Sequence, residues 1–130
     1  MQNLDQIRAA LALTEADKTS KQAVSKLPAM IIGNGLLAAA AFANESNDRG
    51  QPKRKEMKSA MDAVASHLAN AVHGLAVLSE CRDAGTLIQR LSRGHNGNEA
   101  TSLALQRATS EALAFLSYLK RFTTKEEKAS

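Results

Sequence analysis

Apolar positions crowd most densely into one stretch, Lys26 to Ala43, KLPAMIIGNGLLAAAAFA. At about 100° per residue its large side chains, Leu27, Met30, Ile31, Ile32, Leu36, Leu37 and Phe42, point almost all the way round a helix. A helix of that kind is expected to be buried on every side. At about 1.5–3 kcal/mol per fully buried side chain, this group supplies on the order of 10–20 kcal/mol of gross driving force. The one side without bulk carries Ala29, Gly33 and Ala40, where a neighbouring helix could come close. Pro28 has no amide hydrogen and suits a first turn, so the helix is predicted to start near Ser25 or Lys26. Gly33-Asn34-Gly35 interrupts the run with poor helix formers. They permit a kink or close packing, or else give the Asn34 amide a specific partner.

Elsewhere the apolar residues keep to stripes. Leu4, Ile7 and Leu11 predict a helix from Leu4 to about Ala16, capped by Asn3. Lys18 to Ser25 is polar and small, a connector or a short amphipathic turn. Asn44 to Pro52 holds no apolar residue and reads as a loop. Met57, Met61, Val64, Leu68, Ala71 and Leu75 recur at helical spacing and predict a helix from about Lys53 to Leu78 with a single seam. Gly74 loosens its end, and Cys81–Gly85 stops it. Asp83 is placed to cap a short helix, Ala84 to Arg93, and Gly94–Gly97 reads as a turn. The last helix is predicted over Asn98 to Phe122, with Leu105, Ala108, Ala112, Phe115, Leu116, Leu119 and Phe122 facing inward. Residues 123–130 are expected to form a frayed tail. The fold expected is all-α, a single domain over 1–130: a compact bundle of about five to six helices around the buried central one.

Composition supports the helical reading. Alanine, leucine, lysine, arginine, glutamine and glutamate are plentiful, while β-branched and aromatic residues are scarce. The central run is short of the roughly 20 residues a membrane span needs, and about half of it is alanine or glycine, so it reads as a core helix. The single cysteine, Cys81, allows no internal disulfide and suits a reducing, cytoplasmic setting. The N-terminal residues show no basic leader followed by an apolar block, so no signal peptide is expected.

Charge narrows the partner class only a little. The 17 basic and 13 acidic residues leave +4, which permits nucleic-acid binding without demanding it. Aromatic residues make up 3% of the chain and tryptophan is absent, so base-stacking platforms are scarce and any nucleic-acid contact should fall on phosphate and sugar. Arg54, Lys55 and Lys58 stand at the start of a predicted helix, where cations oppose the helix dipole; a negatively charged partner or a merely solvated end accounts for them. Arg90 and Arg93 close the short helix and suit its dipole; with Arg54, Lys55 and Lys58 they are candidate contacts to an RNA backbone. Arg8 lies near an apolar stripe, where an arginine snorkels to water or aims at a partner.

Catalytic and metal-binding groups do not assemble in the sequence. His67 and His73 fall on different faces of one helix, His95 is in a turn, and Cys81 adds one thiol, which matches no zinc pattern. The acids look scattered over polar faces. No cofactor, metal or small-molecule substrate is expected. A helix-turn-helix reader is a competitor, with Asp83–Arg93 as recognition helix, but its N-terminal end lacks the side chains that reach base edges. A plain protein-interaction adaptor is the third reading.

Leu27-Pro28-Ala29-Met30-Ile31-Ile32-Gly33-Asn34-Gly35-Leu36-Leu37, followed by Ala41-Phe42, resembles the central helix of the small all-helical subunit of type III-B CRISPR effector (Cmr) complexes. Glu111-Ala112-Leu113 through Tyr118-Leu119-Lys120-Arg121-Phe122 resembles that family's closing helix, and Arg8-Ala9 fits its start. The middle, Asn44 to Gly97, matches only in pattern. The resemblance implies a non-catalytic subunit that stacks with copies of itself as a minor filament beside other effector subunits and contacts guide and target RNA through phosphates. It implies Lys120, Arg121 and Arg8 as backbone contacts, and Pro28, Asn34, Gly35, Leu36, Phe42 and Phe122 as structural positions. Tyr118 departs from the tryptophan of the family pattern, which puts a packing or subunit contact in question.

Overall fold

A computed structural model describes residues 3–71, 76–95 and 97–124. They form α1 (Leu4–Glu15), α2 (Lys21–Asn34), α3 (Leu36–Ala43), α4 (Lys55–Ala71), α5 (Ala84–Arg93) and α6 (Ser102–Phe122). Short 3-10 turns occupy Ala16–Lys18 and Ala76–Leu78, and there is no strand among the described residues. The fold is all-α. No helix among the described residues is long and apolar enough to cross a membrane.

Most helices start at a side chain that satisfies an otherwise unpaired amide. Asn3 Oδ1 accepts from the Gln6 amide at 2.9 Å while Gln6 Oε1 accepts from the Asn3 amide at 2.8 Å, a reciprocal capping box. Ser20 caps α2, Asp83 caps α5 and Thr101 caps α6 through the amides of Ala23, Thr86 and Ala104. The loop before α4 is tied down from within, because Asn47 Oδ1 accepts from the amides of Arg49 and Gln51.

The apolar run Lys26–Ala43 is two helices, where sequence reading expects one. Gly35 has φ +93° and ψ 159°, a conformation open essentially only to glycine, and it ends α2 and begins α3 at once. Pro28 is not in a first turn. The Ser20 cap and the burial of Ala23 and Val24 start the helix earlier, leaving Pro28 in the interior of α2. Nor is the run enclosed on all sides. Leu27, Ile31, Leu36, Ala39, Ala40 and Ala43 are buried, but Ile32 is 74% exposed. Ala29 and Gly33 are also exposed, and nothing lies within 4 Å of where a Gly33 side chain would begin, so the expected close helix approach is absent there.

The enclosed helix is α4, which packs against each of the other five. Met57, Met61, Val64 and Leu68 of its predicted seam are buried, and so are Ala60, Ala63, Ala65 and His67. Alanines flanking the seam let neighbouring helices close in on both sides, so the buried arc is far wider than one stripe. The described helix ends at Ala71. Of the expected continuation to Leu78, residues 72–75 lie outside the described residues, and Ala76–Leu78 is a 3-10 turn instead of α-helix.

α6 starts at Ser102, four residues later than Asn98. Asn98 closes a turn: its carbonyl accepts the His95 amide and its own amide donates to the His95 carbonyl, both at 2.9 Å. Gly94 enters this turn at φ +78°, and a Cβ there would run into the Asn98 carbonyl. Of the predicted inner face of α6, Ala108, Ala112, Phe115, Leu116 and Leu119 are buried while Leu105 and Phe122 are half-buried. Thr123, at the head of the expected tail, is buried and its hydroxyl donates to the Leu119 carbonyl at 2.6 Å. Residues 125–130 lie outside the described residues.

Candidate nucleic-acid interface

The basic residues named from sequence divide by what holds them. Arg8 is built into the fold: its Nε and Nη2 donate to the two oxygens of Glu111 at 2.6 and 2.8 Å, and its Nη1 donates to Asp5 at 2.9 Å. Those hydrogen bonds, Glu111 first, hold its guanidinium protonated even more firmly than usual, against the opposing effect of burial. Arg54 Nη1 donates to the Phe42 carbonyl and to Glu45, and its guanidinium lies 3.5 Å above the Phe42 ring. Lys58 pairs with Asp62 at 3.0 Å, and Asp62 in turn accepts the first amide of α5. Arg90 Nε reaches the Ser79 carbonyl at 3.4 Å. Each of these four joins one element to another or stiffens a helix end.

The remaining candidates point outward. Lys55 is the exposed first residue of α4, and Arg93 is the exposed last residue of α5. Lys120 and Arg121 are exposed in the last turn of α6. None of these four forms an ion pair among the described residues.

Contacts between helices also fix how the ends lie. Thr19, just after α1, donates to the Glu56 carbonyl, while Arg8 and His67 meet at Glu111, so α1 and α4 are antiparallel. Asp5 lies close enough to Tyr118 to act on its hydroxyl, and Arg8 pairs with Glu111, so α1 and α6 are antiparallel as well. Lys55 and the Lys120–Arg121 pair therefore stand at opposite ends of the bundle, separated by about the length of α1, roughly 18 Å at 1.5 Å per residue. The structure therefore does not gather Lys55, Lys120 and Arg121 into one patch.

Sequence reading places all the acids on polar faces, and Glu111 corrects it. Glu111 is buried in α6 and accepts from Arg8 and from His67 Nε2, the latter at 2.7 Å. His67 is fully buried and stacks on Phe115 with ring centroids 4.6 Å apart. Burial holds its pKa below the ordinary value, outweighing the pull of Glu111. His67 Nδ1 has no hydrogen-bond partner among the described residues, so the consistent assignment is a neutral ring whose Nε2–H donates to the carboxylate. Burial alone would raise the Glu111 pKa, but the hydrogen bonds from Arg8 and His67 together bring it below the ordinary carboxylate value. The signal was present in the register, since Glu111 falls three residues after Ala108 and four before Phe115, on the inner stripe.

Other chemically active groups are equally occupied or enclosed. Burial pushes the Cys81 thiol up to about 11, which leaves it protonated near neutrality. No cluster of three or more His, Cys, Asp or Glu able to hold a metal occurs among the described residues. The structural positions are mixed: Leu36 is buried, Pro28, Phe42 and Phe122 are half-buried, and Asn34 is exposed. The Tyr118 ring tilts against Phe122 with centroids 6.3 Å apart, and the nearby Asp5 carboxylate pushes its ionisation upward.

A family model described as CRISPR-associated protein (Cas_Cmr5) matches residues 2–126. No curated protein and no solved structure matches the chain.

Proposed function

This chain belongs to the CRISPR-associated Cas_Cmr5 family, and we propose that it serves as the non-catalytic small subunit of a type III-B RNA-guided effector complex in antiviral defence. In this reading copies of the chain stack beside larger effector subunits in the cytoplasm. Exposed cations then bear on the phosphates of the guide–target duplex. The observation that carries the reading is the Lys120–Arg121 pair. Both side chains are exposed, neither is ion-paired among the described residues, and the inner face of the same helix is anchored by Phe115, Leu116 and Leu119, with Arg121 opposite it and Lys120 at its edge. Such a pair is a charge site on a fixed support, which suits backbone contact better than base reading. Arg8, Arg54, Lys58 and Arg90 act, in this reading, on the scaffold that holds the outward cations in place.

The test is target-RNA capture by the assembled complex carrying Lys120→Glu and Arg121→Glu. Two lost phosphate contacts are expected to weaken capture about tenfold or more and to lower the magnitude of the salt slope by about two. Cations in a last turn also complement the helix dipole, at about 0.3–1 kcal/mol each. Lys120→Gln with Arg121→Gln is therefore measured alongside, with thermal unfolding of each isolated variant. Full capture by a folded double reversal contradicts the assignment of these two residues.

A further inference from the structure

A groove of about 560 Å³ opens between α2, the end of α3 and the start of α4. Its floor is Ala29, Met30, Phe42 and Met57, and its rim carries Lys26 and Arg54. The volume is that of a site for one or two side chains or a small ligand. No acid lines it. Glu45 takes Nη1 of Arg54 only, and it also lies close to Lys53. Nε and Nη2 of Arg54 have no hydrogen-bond partner among the described residues, and Lys26 is exposed and forms no ion pair there. The rim is thus net positive. The groove also adjoins a surface free of charge: no ionisable residue occurs between Lys26 and Glu45, and Ile32, one turn beyond Ala29, stands open.

Two polymers could bring an anion to this rim. A nucleotide base would bury several polar edges against a floor of methyl, thioether and ring carbon, with the Ser25 hydroxyl the one neutral polar side chain in the lining. Burying unpaired polar groups is costly. An apolar side chain loses nothing there, and a carboxylate next to it finds in Lys26 a cation with no ion-pair partner among the described residues.

We infer that this groove is a docking site for a protein segment that seats one large apolar side chain on Met30 and Met57 and sets a carboxylate against Lys26. The inference stands apart from the RNA reading, since Lys120 and Arg121 are on a different helix. It assigns a use to the exposed side of the apolar run, whose burial in the isolated chain is incomplete.

Methyl-labelled methionine provides a local readout, because Met30 and Met57 line the groove while Met61 is fully buried elsewhere and serves as an internal control. The full chain is titrated with a helical peptide of about a dozen residues bearing leucine and glutamate at i and i+4. Parallel titrations use the same peptide with lysine for glutamate, and hexauridylate. The Leu/Glu peptide is expected to move the Met30 and Met57 methyl signals and leave Met61 in place. Lys26→Glu should weaken that binding about fivefold and restore binding of the Leu/Lys peptide. Unmoved Met30 and Met57 signals, equal binding of both peptides, or movement with hexauridylate alone each overturns the inference.

Discussion

Glu111 accepts hydrogen bonds from Arg8 Nε, Arg8 Nη2 and His67 Nε2, joining α1, α4 and α6 at one buried carboxylate. Glu111→Ala leaves a half-buried guanidinium and a fully buried imidazole short of their acceptor, and unfolding in urea should show a loss of about 3–5 kcal/mol. The same network sets an acid limit. His67 has its folded pKa below the ordinary 6.5, so on acidification the unfolded chain takes up the proton first. Stability is then complete above about pH 6.5 and falls below it. Glu111, held below its ordinary 4.5, extends the loss in the same direction through the carboxylate range. The urea midpoint should drop between pH 7 and pH 5, and His67→Phe, which has nothing to protonate, should flatten that part of the profile. An unchanged slope in His67→Phe would contradict the role given to the buried ring.

Helices and their ends were largely legible in the chain because caps and stripes are local. Asn3, Asp83 and the 3–4 spacing of α4 and α6 announce themselves within a few residues. The Lys26–Ala43 run departs from the expected enclosed helix for a physical reason: apolar content reports what can be buried, and burial depends on neighbours far away in sequence. α4, with its alanines, became the enclosed helix instead, and Ile32 was left in water. The exposure of Arg121 could be read from its place off the apolar stripe of α6, whereas the commitment of Arg8 to Glu111 could not, since 103 residues separate the partners. The glycine pair makes a direct test of this element. Gly35→Ala forces a side chain into a glycine conformation and should cost about 1–3 kcal/mol. Gly33→Ala sits in ordinary helix with open space around it and should add about 0.4–1 kcal/mol. Likewise Ile32→Ser should change stability by less than about 1 kcal/mol, whereas Leu27→Ala should cost about 2–5 kcal/mol.

At the scale of the molecule, one helix packed on by five others leaves the ends of α4, α5 and α6 to carry Lys55, Arg93, Lys120 and Arg121 outward. Separate contact points of this kind suit a subunit that touches a long polyanion held by larger partners, and they suit tight binding by the isolated chain poorly. The alone-standing protein is therefore expected to bind short RNA weakly and with strong salt dependence. A free regulator of the helix-turn-helix kind would instead hold duplex DNA on its own. The most direct measurement is to purify the tagged chain from its native host and identify what comes with it. The account predicts a guide RNA together with several larger proteins, retained at moderate salt. Recovery of the chain alone, or with proteins and no RNA, would contradict it.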